Sequence, residues 1–225
     1  MKIFISIYVI ALLNTHFIKA QSSAIQAIST TSELAHNKLS EDSSSKSNKT
    51  FYITARLGLN YANLNFNKGF PKPILPVDTQ WKVGPTLGLS IRIPINKQLS
   101  LQQEYAFTQV RSTVKIPNIQ YTLSYLTLPT MAKYTLISRV TVVAGVQFDL
   151  LLSAKESALG KTHTITHDTE ERGFDGLAGL EIQLSKHISS SARFLKGLNH
   201  ITIGKYSGGQ EFKTEAVQLA LDITL

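Results

Sequence analysis

The sequence has 225 residues and contains no cysteine. This absence excludes disulfide bonds, zinc–thiolate sites and cysteine nucleophiles. Beyond the N-terminal region there is no uninterrupted apolar run of about 18 residues or more, so we predict no internal helix that crosses a bilayer. Charged residues are also scarce, at 17%, while hydrophobic residues reach 43%. This composition predicts one folded domain of moderate size rather than a disordered chain.

Motifs of familiar catalytic sites are missing as well. The sequence has no GxSxG, no P-loop, no GxGxxG and no HExxH. The segment THTITHDTEE, 162–171, combines two histidines with three acidic residues, so a surface metal site there is conceivable. We favour a solvated polar loop. We therefore predict no enzyme activity, no cofactor, and no catalytic, cofactor-binding or metal-binding residues.

The N-terminal region has the pattern of an export signal. Lys2 precedes the apolar stretch Ile3–Leu13, and Ala20 precedes an expected cleavage before Gln21. A membrane anchor is the alternative, but the apolar stretch is short for one. The predicted organisation is a signal peptide at 1–20, a flexible Ser-rich linker at 21–50 and one domain at 51–225.

The formal net charge of +8 raises the question of a nucleic-acid partner. The basic residues are scattered along the chain, and no basic motif is interleaved with aromatic residues. Export also argues against such a partner. We predict that the chain binds no nucleic acid.

From residue 51 onward, apolar and polar residues alternate in eight segments. In WKVGPTLGLSIRI, 81–93, the odd positions are apolar and the even positions are polar or small. A period of two is typical of a strand with two unlike faces. Because proline removes a ladder hydrogen bond, we expect a bulge at Pro85. The eight predicted strands are 52–61, 81–93, 99–108, 121–134, 140–151, 172–184, 188–198 and 213–225.

The connections between these strands alternate between long and short. The short ones are 94–98, 135–139 and 185–187, and the long ones are 62–80, 109–120, 152–171 and 199–212. In an up-and-down barrel this alternation places every long loop at one end, as in transmembrane barrels with short periplasmic turns and longer extracellular loops. The sequence therefore predicts an all-β, eight-stranded antiparallel transmembrane barrel. Its partners would be outer-membrane lipids and an extracellular ligand or protein bound by the long loops.

The two faces of the strands are expected to meet different surroundings. The apolar rows would face lipid, and the polar rows would face a lumen that side chains just fill in a barrel of eight strands. Isolated charges in such a lumen are costly, so they should pair. The lumen-side set contains five positive and five negative residues: Arg56, Lys82, Arg92, Lys133, Arg193, Glu104, Asp149, Asp175, Glu181 and Asp222. Aromatic residues near strand ends fit interfacial girdles: Tyr61, Trp81, Tyr105, Phe107, Tyr134, Phe148, Phe174 and Phe194.

One segment carries a family resemblance. YLTLPTMAKY, 125–134, resembles the Y-L-x-I-P-x-x-x-K-Y strand of the PorT-like outer-membrane β-barrel family of Gram-negative bacteria. The stretch 176–198 resembles the family's sixth and seventh strands with their tight turn, and the resemblance covers roughly 51–225. It implies an eight-stranded barrel in the outer membrane and supplies no catalytic residues. The matching positions are Tyr125, Leu126, Pro129, Lys133 and Tyr134.

Three functions remain open at this point. The leading hypothesis is an outer-membrane barrel with a structural, adhesive or binding role through its loops, among which 66–76, FNKGFPKPILP, is either a recognition surface or a stiff loop. A general diffusion porin is disfavoured, because a water-filled channel goes with about 16 to 18 strands. The second hypothesis is a soluble, secreted, lipocalin-like barrel with its apolar faces inward. The third is a membrane-embedded lipid-modifying enzyme that uses His200 and Ser207.

Overall fold

The computed structural model describes residues 51–70, 72–204 and 209–225, so the predicted signal peptide and linker lie outside the described residues. No helix in these ranges is long and apolar enough to cross a bilayer. Short 3-10 turns occupy Phe66–Lys68 and Thr166–Asp168. The strands are β1 Tyr52–Asn65, β2 Thr79–Pro94, β3 Leu99–Val114, β4 Ile119–Ile137, β5 Val140–Ala158, β6 Lys161–Thr164, β7 Arg172–Gln183, β8 Ile188–Gly197, β9 Ile201–Ile203 and β10 Gln210–Thr224.

The long strands form one antiparallel sheet that closes on itself. Neighbours along the chain pair in the order β1, β2, β3, β4, β5, β7, β8, β10, and β10 then pairs with β1. At this seam Arg56 lies opposite Asp222 and Tyr61 lies opposite Val217. The short strands β6 and β9 are hairpin extensions of β5 and β10. The predicted eight-stranded barrel is confirmed, and closure leaves its eight long strands without an unpaired edge.

The outer surface of the barrel is apolar and its lumen is polar. On β2 the odd residues Leu87 and Leu89 are 50% and 55% exposed, whereas the even residues Thr86 and Ser90 are each 1% exposed. The same alternation runs along β10, where Leu219 and Leu221 point outward and Gln218 is buried. The lipocalin-like hypothesis, which needs the apolar rows inside, is therefore wrong. The bulge expected at Pro85 is confirmed, because the register of β2 against β3 shifts between Lys82 and Thr86.

The strands extend further toward the long-loop end than predicted. The sequence places the ends of β1, β3 and β5 at 61, 108 and 151, but these strands run to Asn65, Val114 and Ala158. The outward apolar rows stop near the predicted ends, and beyond them the apolar residues lie on the lumen side, as at Leu64 and Val110. Because the apolar face changes sides, one continuous alternation does not describe the whole strand.

The predicted long loops are correspondingly shorter. The prediction of a long loop at 109–120 is wrong, since only four residues, 115–118, separate β3 from β4. Residues 152–158 belong to β5, and β6 and β9 pair within the third and fourth connections. The connections at this end are 66–78, 115–118, 159–171 and 198–209, and the opposite end has the tight turns 95–98, 138–139 and 184–187.

Candidate functional site

The lumen holds most of the charged residues that the sequence places there. Eight of the ten are buried: Arg56, Glu104, Lys133, Asp149, Asp175, Glu181, Arg193 and Asp222. The equal numbers of positive and negative charges are not confirmed, because Lys82 and Arg92 are only half-buried. Arg92 lies near the short-turn end of β2 with its guanidinium 5.0 Å from the ring centre of Tyr52, and Lys82 lies beyond the register shift at Pro85.

A network of ion pairs fills the middle of the lumen. The Arg56 guanidinium donates to Asp222 at 3.0 Å and lies 3.4 Å from the Glu104 carboxylate. Arg193 donates to the other oxygen of Glu104 at 2.9 Å. The hydroxyl of Ser191 accepts from Arg56 and donates to Asp222. Each of these charges thus has an opposite charge in contact, as burial in a narrow lumen requires.

A separate ion pair lies nearer the short-turn end. Lys133 on β4 donates to Glu181 on β7, and the hydroxyl of Ser189 donates to the second oxygen of Glu181 at 3.2 Å. The side chains of Lys133 and Glu181 are 5% and 10% exposed. The pair therefore crosses the barrel interior between two strands that do not pair with each other.

An apolar cluster closes the lumen toward the long-loop end, and we call it the plug. Its centre is Phe66, whose ring lies 5.8 Å from that of Tyr121 and 5.5 Å from that of Phe212. The plug was not predicted from the sequence, although alternating apolar residues past the predicted strand ends were a signal for it. Its buried members include Ala62, Leu64, Phe66, Val110, Val114, Tyr121, Leu123, Ala154, Ile201, Ile203, Phe212 and Ala216.

The first connection, 66–78, is fastened at its base. The side chain of Asn67 donates to the Val77 carbonyl and accepts from the Val77 amide, both at 2.8 Å. Lys68 pairs with Glu215 on β10, and the amide of Phe70 donates to the Glu211 carboxylate at 3.0 Å. These contacts close the loop on itself and join it to β10, so its outer residues project from a fixed base.

Large apolar residues project from three connections at the long-loop end. We call the set Phe70, Ile74, Leu75, Ile116 and Leu159 the apolar tips. Their exposed fractions run from 75% at Phe70 to 100% at Ile74. Lysines flank them at positions 72, 115 and 161, and Lys115 pairs with Asp78 at 2.6 Å. Segment 66–76, singled out as a recognition surface or a stiff loop, supplies three of the five tips.

The third and fourth connections are joined through their backbones. Thr169 bridges to Ile203, and the amide of Glu170 donates to the Thr202 carbonyl at 2.8 Å. His163 is exposed on β6, and His167 lies in the 3-10 turn. Among the described residues no group of three or more histidine or acidic side chains could hold a metal ion, so the surface metal site considered for 162–171 gains no support.

The two residues considered for an enzyme do not form a described pair. The Nε2 atom of His200 donates to the carbonyl oxygen of Lys68 at 3.0 Å. Ser207 lies outside the described residues. The Nε2 atom of His200 therefore contacts the first connection rather than a nucleophile.

The aromatic residues expected in girdles lie on the outer surface. Tyr61 and Trp81 contact each other with ring centres 5.2 Å apart, and both lie toward the long-loop end of their strands. Phe148 and Phe174 are cross-strand neighbours. Tyr134 lies toward the short-turn end and is 44% exposed. Tyr105 and Phe107 also point away from the lumen, each half-buried.

Comparison with known proteins gives a family and a set of similar folds. The family model described as outer membrane protein beta-barrel domain matches residues 20–202. Among curated proteins no sequence matches this chain. Neisserial surface protein A matches with a TM-score of 0.48 and 14% identity, over 78% of this chain and 97% of that chain. The attachment invasion locus protein Ail of Yersinia pestis, solved with the heparin analogue sucrose octasulfate, has a TM-score of 0.45 and 13% identity, over 78% and 99%. OprG of Pseudomonas aeruginosa has a TM-score of 0.45 and 11% identity, over 79% and 97%.

Proposed function

Because the chain belongs to the outer membrane protein beta-barrel domain family, we propose that this outer-membrane barrel acts as a binding or adhesion surface through its loop-bearing end. The observation that carries the proposal is the exposure of the apolar tips above a closed lumen. Leu64, Leu123 and Phe212 are each 0% exposed inside the plug, so among the described residues this part of the lumen is filled by side chains. The proposed binding role therefore belongs to the rim and its loops.

The chemistry of the rim points to an anionic partner with apolar surface. Contiguous exposed apolar side chains are costly in water and commonly mark contact sites. Lys72 and Lys161 stand beside the tips, and no ion pair is formed by either within the described part of the chain. Loops on a rigid barrel can vary without disturbing the fold, which suits them to recognition.

The assignment to a PorT-like group and the domain boundaries rest on sequence patterns. We propose that the chain is a PorT-like member of its family. The motif residues Tyr125 and Lys133 support this proposal, since both are buried in the lumen and Lys133 pairs with Glu181. The export signal at 1–20, the linker at 21–50 and the barrel domain at 51–225 complete the proposed organisation. No enzymatic role is proposed, because the Nε2 atom of His200, the base considered for one, contacts the Lys68 carbonyl.

Adhesion of a non-adherent Gram-negative host that displays the chain tests the binding role. Cells would be applied to surfaces coated with a sulfated polysaccharide, with a hydrocarbon, or left plain. We expect retention above plain surfaces, at least a tenfold loss when Phe70, Ile74 and Leu75 are changed to Ser, and a smaller loss with Lys72→Gln plus Lys161→Gln.

The control removes two positive charges from the opposite end of the barrel, with Lys97→Gln and Lys186→Gln in the short turns. This variant should adhere as the parent does. Adhesion that is unchanged by the serine substitutions, with equal amounts of folded barrel at the surface, contradicts the proposal. Large, stable conductance steps in a planar bilayer contradict the closed lumen.

A further inference from the structure

Two buried acids remain after the lumen ion pairs are assigned. The three buried cations Arg56, Arg193 and Lys133 are matched by three acids, Asp222, Glu104 and Glu181. Asp149 and Asp175 are 7% and 3% exposed, and neither contacts a cationic side chain within the described residues. Two carboxyl groups without a cationic partner in a narrow lumen are neutralised either by a shared proton or by a bound cation.

The two carboxyl groups share one place in the lumen. Asp149 lies on β5 and Asp175 on the adjacent strand β7, where Gln147 is opposite Asp175 and Gly173 is opposite Asp149. The amide of Gln147 donates to Asp149 at 2.9 Å, which fixes one carboxylate oxygen. The two carboxyl groups are also within hydrogen-bonding contact of each other, so their oxygens lie together between the two strands.

A small cavity lies at that centre. It leaves about 10 Å³ for the centre of a water-sized sphere, which is room for roughly one water molecule or one ion. Both carboxyl groups line it, and the neutral oxygens around it come from the side chains of Asn60, Tyr125 and Thr127. The side chains of Val110, Leu195 and Ala216 also line it, so the wall combines apolar groups with the oxygens of the two acids and their polar neighbours.

Two of these neutral groups have no partner in the protein. The Tyr125 hydroxyl and the Asn60 side-chain oxygen are buried and form no hydrogen bond, although Tyr125 is 2% exposed and Asn60 is 1% exposed. Buried polar atoms in folded proteins are nearly always satisfied by protein groups or ordered water, so these two oxygens are free to contact a bound water molecule or ion. The unmatched charge and the unmatched oxygens meet at the same cavity.

We propose that this cavity binds a single hard divalent cation of the calcium type, held by Asp149, Asp175, the Asn60 oxygen and the Tyr125 hydroxyl. Two carboxylates balance two positive charges, and carboxylate, amide and hydroxyl oxygens are ligands that suit hard cations better than zinc or copper. The Thr127 hydroxyl lines the same cavity and supplies a further oxygen. The ion joins β1, β4, β5 and β7 below the plug, and so it stabilises the closed barrel independently of any binding by the loops.

The test uses the full chain refolded in zwitterionic detergent, which removes anionic lipid as a source of bound calcium. After chelation and dialysis, CaCl₂ at saturation should raise the thermal unfolding midpoint by roughly 5–10 °C. Terbium, which replaces calcium in oxygen sites, should emit on excitation of tyrosine, because Tyr125 lines the cavity. Elemental analysis should find about one calcium per chain.

Matched variants decide the assignment. Asp149→Asn should abolish both the shift in midpoint and the terbium emission, whereas Glu171→Gln, which removes an exposed acid, should leave both unchanged. If Asp149→Asn does not fold, Tyr125→Phe serves instead and should weaken calcium binding several-fold. The absence of a calcium shift in the parent chain overturns the proposal. A calcium shift that survives in Asp149→Asn also overturns it. If the parent does not respond to calcium and Asp149→Asn is more stable than the parent, the two acids share a proton rather than an ion.

Discussion

At the scale of single residues, Glu104 is the acid on which the central lumen network depends. Its two oxygens contact Arg56 and Arg193, and its side chain is 2% exposed. Replacing Glu104 with Gln removes the negative charge that the two buried guanidinium groups share. We therefore expect a loss of about 3–5 kcal/mol in the free energy of unfolding. Urea unfolding of the barrel in detergent micelles, followed by tryptophan fluorescence, measures the loss.

The control for Glu104→Gln is an acid in an exposed ion pair. Asp78 pairs with Lys115, and the two side chains are 65% and 45% exposed. Asp78→Asn should therefore change the free energy of unfolding by no more than about 1 kcal/mol. Equal losses in the two variants would mean that the lumen screens its charges as water does.

At the scale of strands, the pairing of β4 with β5 depends on a close backbone approach at Gly145. A Cβ added there would lie 2.1 Å from the carbonyl oxygen of Thr130, so the two strands would have to move apart. We expect Gly145→Ala to cost about 1–3 kcal/mol in the free energy of unfolding. The matched control is Gly176→Ala on β7, where the nearest atom is Leu198 Cδ2 at 3.8 Å.

Both alanine variants would be compared by urea unfolding under the same conditions. Gly176→Ala should lie within about 0.5 kcal/mol of the parent, because its added methyl group meets only ordinary contacts. A Gly145→Ala barrel as stable as the Gly176→Ala barrel would show that β4 and β5 adjust without cost.

At the scale of the whole molecule, closure and an apolar outer surface predict a characteristic behaviour. Membranes of cells that express the chain would be washed with carbonate, and the protein would be run on a gel with and without boiling. We expect retention in the washed membranes and a shift in mobility on boiling, because the closed sheet resists detergent until heat opens it. Release by carbonate, or identical mobilities, would contradict an inserted barrel.

The sequence predicted the parts of the barrel that depend on local alternation. Strand positions, the outward apolar rows and the bulge at Pro85 follow from a period of two, because in a strand the neighbours along the chain fix which side a residue faces. The short turns were located for the same reason. Burial of Lys133 and Arg193 was predicted too, although the fourth and seventh predicted strands, β4 and β8 here, have the weakest alternation.

Other features depend on residues that are distant along the chain and meet only when the sheet closes. Arg56 and Asp222 become neighbours across the seam between the first and last strands, and no local pattern selects that partner. The plug gathers Phe66, Tyr121 and Phe212 from three separate parts of the chain, and it extends the strands into residues predicted as loops. The amino-acid sequence by itself determined a barrel with a lipid-facing surface, because alternation is local. Only the tertiary structure decided which lumen charges pair, where the plug lies and which acids remain unmatched, because those contacts exist only across the closed interior.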